Sequence, residues 1–449
     1  MFDLVIRNGV IAAGGPADIA VSDGAVAAVA PQLPGGRDEI DAAGLTVFPG
    51  VIDVHLHFNE PGRSDWEGGA TGSHALVAGG GTLFFDMPLN STPCTVTVAA
   101  FEHKRTALAA CSVADFGLWG GIVPGNRHEL EPLTRAGVIG FKAFLCNSGL
   151  PEFPRADDLT LFEGMRAAAR NGLPVAVHAE SEDLTAGLTA RLRSSGRQDV
   201  RAFLASRPVI AEVEAIERAA LLAREAGARL HIVHISSGRG VAAALDARAR
   251  GVDISIETCP HYLFFTEEDL ERIGAAAKCA PPLRSATENK ELWRRLCAGD
   301  VDIVASDHSP SPPELKCGDD FFSVWGGIAG VQSTLAVLLE AGYYQRGLSL
   351  ADVVRLTAVT PSARFRIPRK GQIAPGFDAD FALVDIDEPF TLSAPDLRQR
   401  HPISPYLGAR FRGRVRRTLV RGHTVFHEGR ITAAGTSRWV RPEEPSCTS

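Results

Sequence analysis

The sequence predicts an α/β fold: a (β/α)8 TIM-like barrel with a small β-sandwich-like domain formed from both chain termini. Three observations predict it. Short apolar runs recur through the middle of the chain, each bounded by turn residues and followed by a stretch with helical periodicity. Strands that are apolar on both faces and alternate with helices are typical of a parallel sheet. Both ends of the chain carry short strand patterns joined by turns instead.

Eight apolar runs are the predicted barrel strands. They cover residues 45–58, 82–87, 115–122, 138–145, 174–179, 229–235, 252–257 and 301–306. The stretches between them have helical periodicity. In 211–226, for example, one face carries Val213, Ile216, Ala220 and Leu221. Eight such units that close on themselves form a barrel, which usually takes about 250 residues or more. We therefore assign residues 51–369 to the barrel.

The two ends are predicted to form one small β-domain from residues 1–50 and 370–449. Asn8-Gly9 lies between two short apolar runs, which predicts a tight type I′ hairpin, and Asp23-Gly24 predicts a second turn. From about Ser437 the chain is polar, and we expect it to fray. The strand pattern returns late in the chain, at 381–385, 418–420 and 424–426, with a turn at 421–422.

Composition limits the classes of function. Of the 449 residues, 45% are hydrophobic and 22% are charged, which is ordinary for a globular protein with a large core. Acidic residues outnumber basic ones, 53 against 46, and no run of Lys and Arg exceeds two, so no nucleic-acid or anionic-membrane surface is indicated. We expect no membrane span and no signal peptide. The eight cysteines form no CxxC pair, and we expect reduced thiols in a cytoplasmic protein.

The pair His55 and His57 closes the first predicted barrel strand. Residues two apart in a strand point to the same side, so both imidazoles can reach one metal ion. Taken alone the pair is weak evidence, because two surface histidines would show the same spacing.

Four further residues fall near the ends of other predicted strands: Lys142 on the fourth, His178 on the fifth, His234 on the sixth and Asp307 on the eighth. Barrel active sites are built where the strands end, so all six residues would converge there. A buried lysine or aspartate is costly unless it is paired or ligated. One of them alone could be a satisfied core group, but six at one end of a barrel indicate a catalytic metal site.

Lys142 requires an explanation of its own. An ammonium group beside four imidazoles and a divalent cation would be repelled. A neutral amine can instead take up carbon dioxide and form a carbamate, an anionic ligand that can bridge two ions. The alternative is that Lys142 pairs with a carboxylate and that the site holds a single ion.

The run Asp53-Val54-His55-Leu56-His57, followed in order by Lys142, His178, His234 and Asp307, resembles the cyclic amidohydrolases of the amidohydrolase superfamily. The resemblance covers nearly the whole chain, including the two-ended β-domain and segment 404–408. Within that family the chain is most similar to the allantoinase branch. The stretches that support this likeness are 60–63, 66–68, 257–262, 278–282, 306–310, 312–314 and 325–330.

The resemblance implies a centre with two divalent metal ions. His55 and His57 would hold one ion and His178 and His234 the other, while an N6-carboxylated Lys142 would bridge them. Asp307 would ligate the first ion and act as the catalytic residue that moves protons. The implied reaction is hydrolysis of the ring amide of allantoin to allantoate by a hydroxide that bridges the ions, in a homotetramer. Such ligands suit zinc, and also cobalt, manganese, iron and nickel.

Three positions bear on which ring the site accepts. Dihydroorotases usually carry an arginine two places after the second histidine, to hold a substrate carboxylate, but this chain has Asn59 there. Hydantoinases and dihydropyrimidinases usually carry a tyrosine five places after the carboxylated lysine, where this chain has Asn147. The asparagine of their Asn-Gly-Ile-Pro-Gly motif corresponds to Gly326. These differences favour allantoin. The alternative is a hydantoinase or dihydropyrimidinase, and a remote one is a non-catalytic scaffold, although such proteins typically lose metal ligands.

A polar ring with a ureido arm is recognised through hydrogen bonds. We therefore expect the small-molecule substrate to contact Asn90, Ser309 and backbone groups of Ala280 and Gly326.

Other residues near these positions receive less specific predictions. Packing is the favoured role of His261 and Cys279, and His308 is interpreted as structural because it would point away from the site. The loop 309–325 is rich in proline and glycine and follows Asp307. It is either a lid that excludes water, a static surface loop or a contact between subunits.

Overall fold

Six strands precede the barrel in this computed structural model, which describes residues 1–432 and 437–443. They are β1 (Phe2–Arg7), β2 (Val10–Ile11), β3 (Asp18–Ser22), β4 (Ala25–Ala30), β5 (Gly36–Asp41) and β6 (Thr46–Pro49). A four-stranded sheet has the order β4-β3-β1-β5, with β1 antiparallel to β3 and parallel to β5. The predicted turn at Asp23-Gly24 joins β3 to its antiparallel partner β4, and both residues have positive φ.

The hairpin predicted at Asn8-Gly9 is wrong. Asn8 has the positive φ of such a turn, 59°, but β2 does not pair with β1. Instead β2 runs parallel to β6 in a second sheet, so the chain crosses here from one sheet to the other. The close approach to β6 explains the glycine, because a Cβ on Gly9 would lie 2.8 Å from Cγ2 of Val47.

The barrel strands follow the predicted runs. They are β7 (Val51–Leu56), β8 (Gly81–Asp86), β9 (Asp115–Leu118), β10 (Gly120–Gly121), β11 (Phe141–Phe144), β12 (Pro174–His178), β13 (Arg229–Ile232), β14 (Ile254–Thr258) and β15 (Ile303–Val304). All pair in parallel. Together β9 and β10 form the third barrel strand, which is interrupted at Trp119: β9 pairs with β8 and β10 pairs with β11. The circle closes where Leu56 pairs with His308 and the N–H of His57 donates to the carbonyl of His308 at 2.8 Å. The predicted barrel fold is confirmed.

The first predicted run, 45–58, is two strands rather than one. Its first part, β6, belongs to the terminal sheet, and only β7 belongs to the barrel. The change of sheet occurs at Gly50, where an added Cβ would lie 2.1 Å from Oγ1 of Thr82. Only glycine fits this junction without a shift of the neighbouring strand.

Helices cover the outside of the barrel. They are α1 (Gly69–Ala78), α2 (Val98–Cys111), α3 (Arg127–Ala136), α4 (Asp158–Arg170), α5 (Glu182–Ser194), α6 (Val200–Ser206), α7 (Val209–Ala226), α8 (Gly238–Ala249), α9 (Pro260–Phe264), α10 (Glu267–Ile273), α11 (Ala286–Cys297), α12 (Thr334–Val337), α13 (Leu350–Val354) and α14 (Thr360–Arg364). Side-chain caps fix several of their starts; for example, Asp157 accepts a hydrogen bond from the N–H of Thr160 at 2.8 Å. The last helical segments contain π-helical turns at Leu338–Tyr344 and Arg355–Val359.

Four late strands complete the second terminal sheet: β16 (Phe381–Thr391), β17 (Arg410–Val420), β18 (His423–His427) and β19 (Arg430–Ile431). The sheet has the order β19-β18-β17-β16-β6-β2, so both halves of the chain contribute to it. Apolar residues of both sheets, such as Ile6, Ile19, Val47 and Phe381, share one buried cluster, which is the arrangement of a β-sandwich. The chain division at 50 and 370 stays a prediction.

Fraying from Ser437 is contradicted for residues 437–443. The N–H of Phe116 donates to the carbonyl of Arg438, and the N–H of Val440 donates to the carbonyl of Phe116, at 2.9 and 2.8 Å. Trp439 between them packs against the hydrophobic core. Residues 444–449, including Cys447, lie outside the described part of the chain. Among the residues that the structure does describe, no helix combines the length and the apolar character needed to cross a bilayer.

Candidate metal centre

The structure brings the six predicted ligands to the end of the barrel where the strands finish. His55 lies in β7 and His57 directly follows it, Lys142 lies in β11, and His178 is the last residue of β12. His234 lies two residues beyond β13 and Asp307 three residues beyond β15. The four histidines and Lys142 are buried, and 14% of the Asp307 side chain is exposed.

Asp307 and the first histidine pair form one compact group. Oδ1 of Asp307 lies 3.2 Å from Nε2 of His55 and 3.5 Å from Nε2 of His57. Burial alone would raise the pKa of Asp307, but His55 and His57 hold this pKa well below its ordinary value. Each residue offers one ligand atom within 4.8 Å of the others, so the three can hold one metal ion.

The second histidine pair adjoins the first. The ring centroids of His178 and His234 are 4.6 Å apart, and those of His55 and His234 are 5.3 Å apart. Burial lowers the pKa of each of these three histidines, which favours the neutral imidazole that a metal ion requires.

Lys142 faces this group from β11. Its Nζ is buried and has no hydrogen-bond partner among the described residues, and it lies 5.1 Å from the ring centroid of Phe144. Burial lowers the pKa of Lys142 to about 8, against the opposing effect of Asp307 and Glu257. Its charge in turn lowers the pKa of His55, His178 and His234. An amine in this position is therefore close to both histidine pairs and lacks a partner.

Two buried carboxylates orient the histidines, and the sequence did not single them out for this role. Glu257 accepts hydrogen bonds from Nδ1 of His55 at 2.7 Å and from Nε2 of His231 at 2.9 Å. Burial alone would raise the pKa of Glu257, but the two histidines hold it at about 2. Glu180 lies 2.9 Å from Nε2 of His178 and is also bonded to Arg207. A carboxylate two residues after a ligand histidine was the available signal for Glu180.

Two predicted ligands have a backbone conformation that side chains rarely adopt. His234 has φ 40° and Asp307 has φ 44°. Non-glycine residues pay about 1–2 kcal/mol for this left-handed region, and such strain concentrates at functional sites. At His234 the strained turn is held by a hydrogen bond from its N–H to Oε1 of Glu257 at 3.0 Å.

A cavity of about 690 Å³ opens above the histidines. Asn90, Ala280, Ser309 and Gly326, the four predicted substrate contacts, all line it. Nδ2 of Asn90 donates to Oγ of Ser309 at 3.2 Å. The backbone N–H and carbonyl of Gly326 have no hydrogen-bond partner in residues 1–432 and 437–443, so these two groups are available to a ligand.

Of the three positions that differ from related enzymes, Gly326 and Asn147 line the cavity and Asn59 does not. Asn147 lines the cavity, where its N–H donates to Oε2 of Glu182 at 2.6 Å, so no aromatic ring covers the site from this position. Asn59 is fully buried behind the cavity wall, where Nδ2 donates to the carbonyl of Pro310 at 3.3 Å.

The three residues with predicted packing roles lie around the centre. Nδ1 of His308 accepts the N–H of Gly330 at 3.1 Å, which fits a structural role. Cys279 lines the cavity, and burial raises the pKa of its thiol to about 12. His261 is buried beside Tyr262, and burial lowers its pKa to about 4.

The loop 309–325 forms one wall of the cavity through Phe322, Val324 and Trp325. It contains the 3-10 turn Pro313–Lys316, and Arg193 of α5 donates to Asp320 at 2.7 Å. The three roles predicted for this loop, a lid, a static surface loop or a contact between subunits, stay predictions.

Comparisons with known proteins agree with this arrangement. The model of the Amidohydrolase family matches residues 46–425. The chain is 65% identical to an allantoinase of Solibacter usitatus, over 99% of this chain and 98% of the relative. It is 55% identical to an allantoinase of Rubrobacter xylanophilus, over 98% of each chain. The solved L-hydantoinase (dihydropyrimidinase) of Arthrobacter aurescens superposes with a TM-score of 0.95 at 35% identity, covering 98% of this chain and all of that one. The predicted resemblance is confirmed, and the chain belongs to the amidohydrolase family.

Proposed function

We propose that this enzyme hydrolyses the ring amide of allantoin and releases allantoate. The observation that carries the proposal is the likeness to curated allantoinases over almost the whole chain. The cavity supports it, because Asn147 and Gly326 stand where hydantoinases usually carry a tyrosine and an asparagine. A polar wall suits a ring with a ureido arm better than a stacked aromatic would.

We propose two divalent ions as cofactors, with zinc favoured. His55 and His57 hold the first ion and His178 and His234 the second, while Lys142 lies between the pairs as a carbamate. To form it, Nζ of Lys142 bonds to the carbon of carbon dioxide and releases one proton. The unpartnered, buried Nζ of Lys142 and Nδ1 of His234 support this assignment, because each needs a partner that the described residues do not supply. When bound, such ions lower the pKa of a bound water to about 7 and polarise a carbonyl oxygen.

Asp307 moves the proton of the reaction. It lies beside both histidines of the first ion, and part of its side chain reaches the cavity. In the proposed step it accepts the proton of the attacking water and returns it to the ring nitrogen as the C–N bond breaks. The same proton therefore enters and leaves the carboxylate within one turnover.

The remaining cavity residues orient the ring. The hydroxyl of Ser309 and the amide of Asn90 are held together by their own hydrogen bond, and the unpaired N–H and carbonyl of Gly326 can pair with a cyclic amide. Fixing the ring amide against the attacking water lowers the entropy cost of the reaction. The carbonyl of Ala280 completes the proposed contacts.

A hydantoinase or dihydropyrimidinase is the second candidate. The superposition with the Arthrobacter aurescens hydantoinase favours it, because both enzymes share the barrel and the terminal sheets. The two candidates use the same metal ligands and differ only in the ring that the cavity accepts.

The test is turnover of allantoin beside hydantoin, dihydrouracil and dihydroorotate, on enzyme reconstituted with zinc, cobalt or manganese. We expect activity on allantoin to exceed the other three. Preference for hydantoin or dihydrouracil would retain the metal mechanism and overturn the assigned substrate. Inactivity on all four rings by enzyme that binds two ions would overturn the substrate class.

Two further properties complete the proposal. We place the enzyme in the cytoplasm, because the seven described cysteines are free thiols. We also propose a homotetramer, based on the resemblance to cyclic amidohydrolases, which light scattering after size-exclusion chromatography tests directly.

A further inference from the structure

We infer that Lys278 and Lys316 are positioning residues, which hold the cavity wall at 324–327 so that the backbone N–H and carbonyl of Gly326 face the substrate. Lys278 lines the cavity and Lys316 does not, and the ammonium groups of both donate to backbone carbonyls of this segment. The inference rests on the proposed function, since it concerns how that same site recognises its ring.

Lys278 donates hydrogen bonds at the start of the 324–327 wall and just before it. Its Nζ donates to the carbonyls of Phe321 at 2.6 Å and Phe322 at 3.3 Å, and also to the carbonyl of Val324. The residue is only 3% exposed, and its Nζ lies 4.7 Å from the ring centroid of Phe203. An ammonium group with these partners fixes three backbone carbonyls within residues 321–324 of the loop.

Lys316 grips the end of the wall. Its Nζ donates to the carbonyl of Gly327 at 2.6 Å, of Trp325 at 3.1 Å and of Ala275 at 3.3 Å. Ala275 belongs to the helical segment that precedes Lys278, so Lys316 ties the loop to a neighbouring part of the barrel. Every hydrogen bond from the two ammonium groups, within the described residues, goes to a backbone carbonyl.

The contacts of the two lysines leave the backbone N–H and carbonyl of one residue, Gly326, unpaired. The carbonyls of Val324, Trp325 and Gly327 are all taken by ammonium groups. The N–H of Trp325 donates to Leu315 at 2.8 Å, and the N–H of Gly327 donates to the carbonyl of Lys278 at 2.7 Å. The N–H and carbonyl of Gly326 then stay unpaired within the described chain and line the cavity. A cyclic amide presents the complementary pair, a carbonyl beside an N–H.

The wall also touches Ser309, another proposed substrate contact. A Cβ on Gly327 would lie 2.1 Å from the carbonyl oxygen of Ser309, and its φ is 148°. The position of Gly327, which Lys316 holds directly, therefore also sets the distance between two groups that contact the ring.

Burying an ammonium group is costly, and burial lowers the pKa of Lys278 to about 7 and that of Lys316 to about 8, so stability alone gives little reason for two of them. Their effect on one short segment gives a functional reason. A contact made equally to the bound ring and to the transition state changes KM and leaves kcat almost unchanged. This split separates a positioning role from a general loss of structure.

The experiment compares Lys278→Met, Lys316→Met and their double variant with the wild type, using whichever cyclic amide the wild type opens. We expect KM to rise about ten- to hundred-fold in each single variant, from the loss of charge-assisted hydrogen bonds, with kcat within about three-fold. Metal content should stay unchanged. The fold-increase in KM of the double variant should be smaller than the product of the two single fold-increases, because both lysines act on one segment. Lys290→Met, at an exposed lysine of α11, is the matched control and should leave KM unchanged.

Wild-type KM in both methionine variants overturns the inference, as does a fall in kcat and metal content with KM unchanged. Failure of the proposed function can be told apart from failure of this inference, because the wild-type enzyme would then prefer a ring other than allantoin. A second measurement does not depend on the lysine variants folding. In Asp307→Asn enzyme saturated with allantoin, or with the ring that the wild type prefers, the Gly326 amide should become protected from hydrogen exchange. The Gly327 amide should be protected already in the free enzyme. Absence of protection at Gly326 overturns the inference.

Discussion

Nδ1 of His55 donates a hydrogen bond to Oε1 of Glu257 over 2.7 Å. The same oxygen accepts the backbone N–H of His234 at 3.0 Å, so one carboxylate orients a member of each histidine pair. The bond fixes the tautomer of His55 and turns its Nε2 toward Asp307. Glu257 therefore aligns both halves of the proposed metal centre without touching the substrate cavity.

We expect Glu257→Gln to lower metal affinity by about 10- to 100-fold, the usual effect of removing a partner of a ligand histidine. A glutamine has one acceptor oxygen, whereas Glu257 serves three donors with two. Competition with a chelator measures the affinity. Glu131→Gln, at an exposed glutamate, is the control, and equal affinity in both variants would contradict the role.

We expect Asp307→Asn to abolish turnover while the fold stays intact. An amide cannot accept the proton of the attacking water, and general acid–base catalysis contributes about 10²- to 10⁴-fold. Turnover and the circular dichroism spectrum are measured on the same preparation. Asp319→Asn, on the exposed part of the neighbouring loop, should behave as the wild type. Wild-type turnover by Asp307→Asn would end the proposed mechanism.

We expect Lys142→Ala to lose at least one metal ion, because the bridging ligand between the histidine pairs disappears. Short-chain carboxylic acids should restore part of the activity by occupying the space that the side chain leaves. Elemental analysis of purified protein counts the ions. A metal content equal to that of the wild type would argue against a bridging role.

We expect Lys370→Met to destabilise the protein by about 3–5 kcal/mol, the usual cost of leaving buried charges unpaired. Nζ of Lys370 lies 2.7 Å from Asp115 of β9, 3.0 Å from Asp378 and 2.6 Å from Asp380, so it ties the barrel to the terminal sheets. The melting temperature should fall while the wild-type KM is retained below it. An unchanged melting temperature would show that the network contributes no net stability.

The same network predicts a loss of stability at high pH. Burial alone would lower the pKa of Lys370, but Asp380 and Asp115 hold this pKa above its ordinary value. A raised pKa means that the contribution is complete below about pH 10.4 and is lost as the pH rises beyond it. Thermal melting from pH 9 to 11 should therefore fall more steeply for the wild type than for Lys370→Met. Parallel curves would contradict this coupling.

The barrel and the convergence of its six polar residues could be predicted because both follow from local rules. Runs buried on both faces identify parallel strands, and the residues at their ends meet at one side of a barrel. His178 and Asp307 lie far apart in sequence, yet their strand-end positions alone placed them in one site.

The predictions from the sequence failed where contacts between residues far apart in the chain determine the structure. Asn8 has the conformation of a hairpin turn, but pairing of β2 with β6 determines where the following strand lies. Glu257 carried no local signal for its role, since its partners come from β7 and β13. Residues 437–443 have a polar sequence, and only the core around Trp439 explains their order.

The pairing of Phe116 with residues 438–440 has a consequence for folding during synthesis on the ribosome. The N–H of Arg438 bonds to Asp115, which was synthesised 323 residues earlier. At ordinary rates of translation, residues 438–440 are synthesised on the order of tens of seconds after the third barrel strand. During that interval the apolar surface around Phe116 is open to nascent chains and chaperones. Truncation just before Trp439 would make this exposure permanent, and aggregation rather than loss of chemistry would be its first sign.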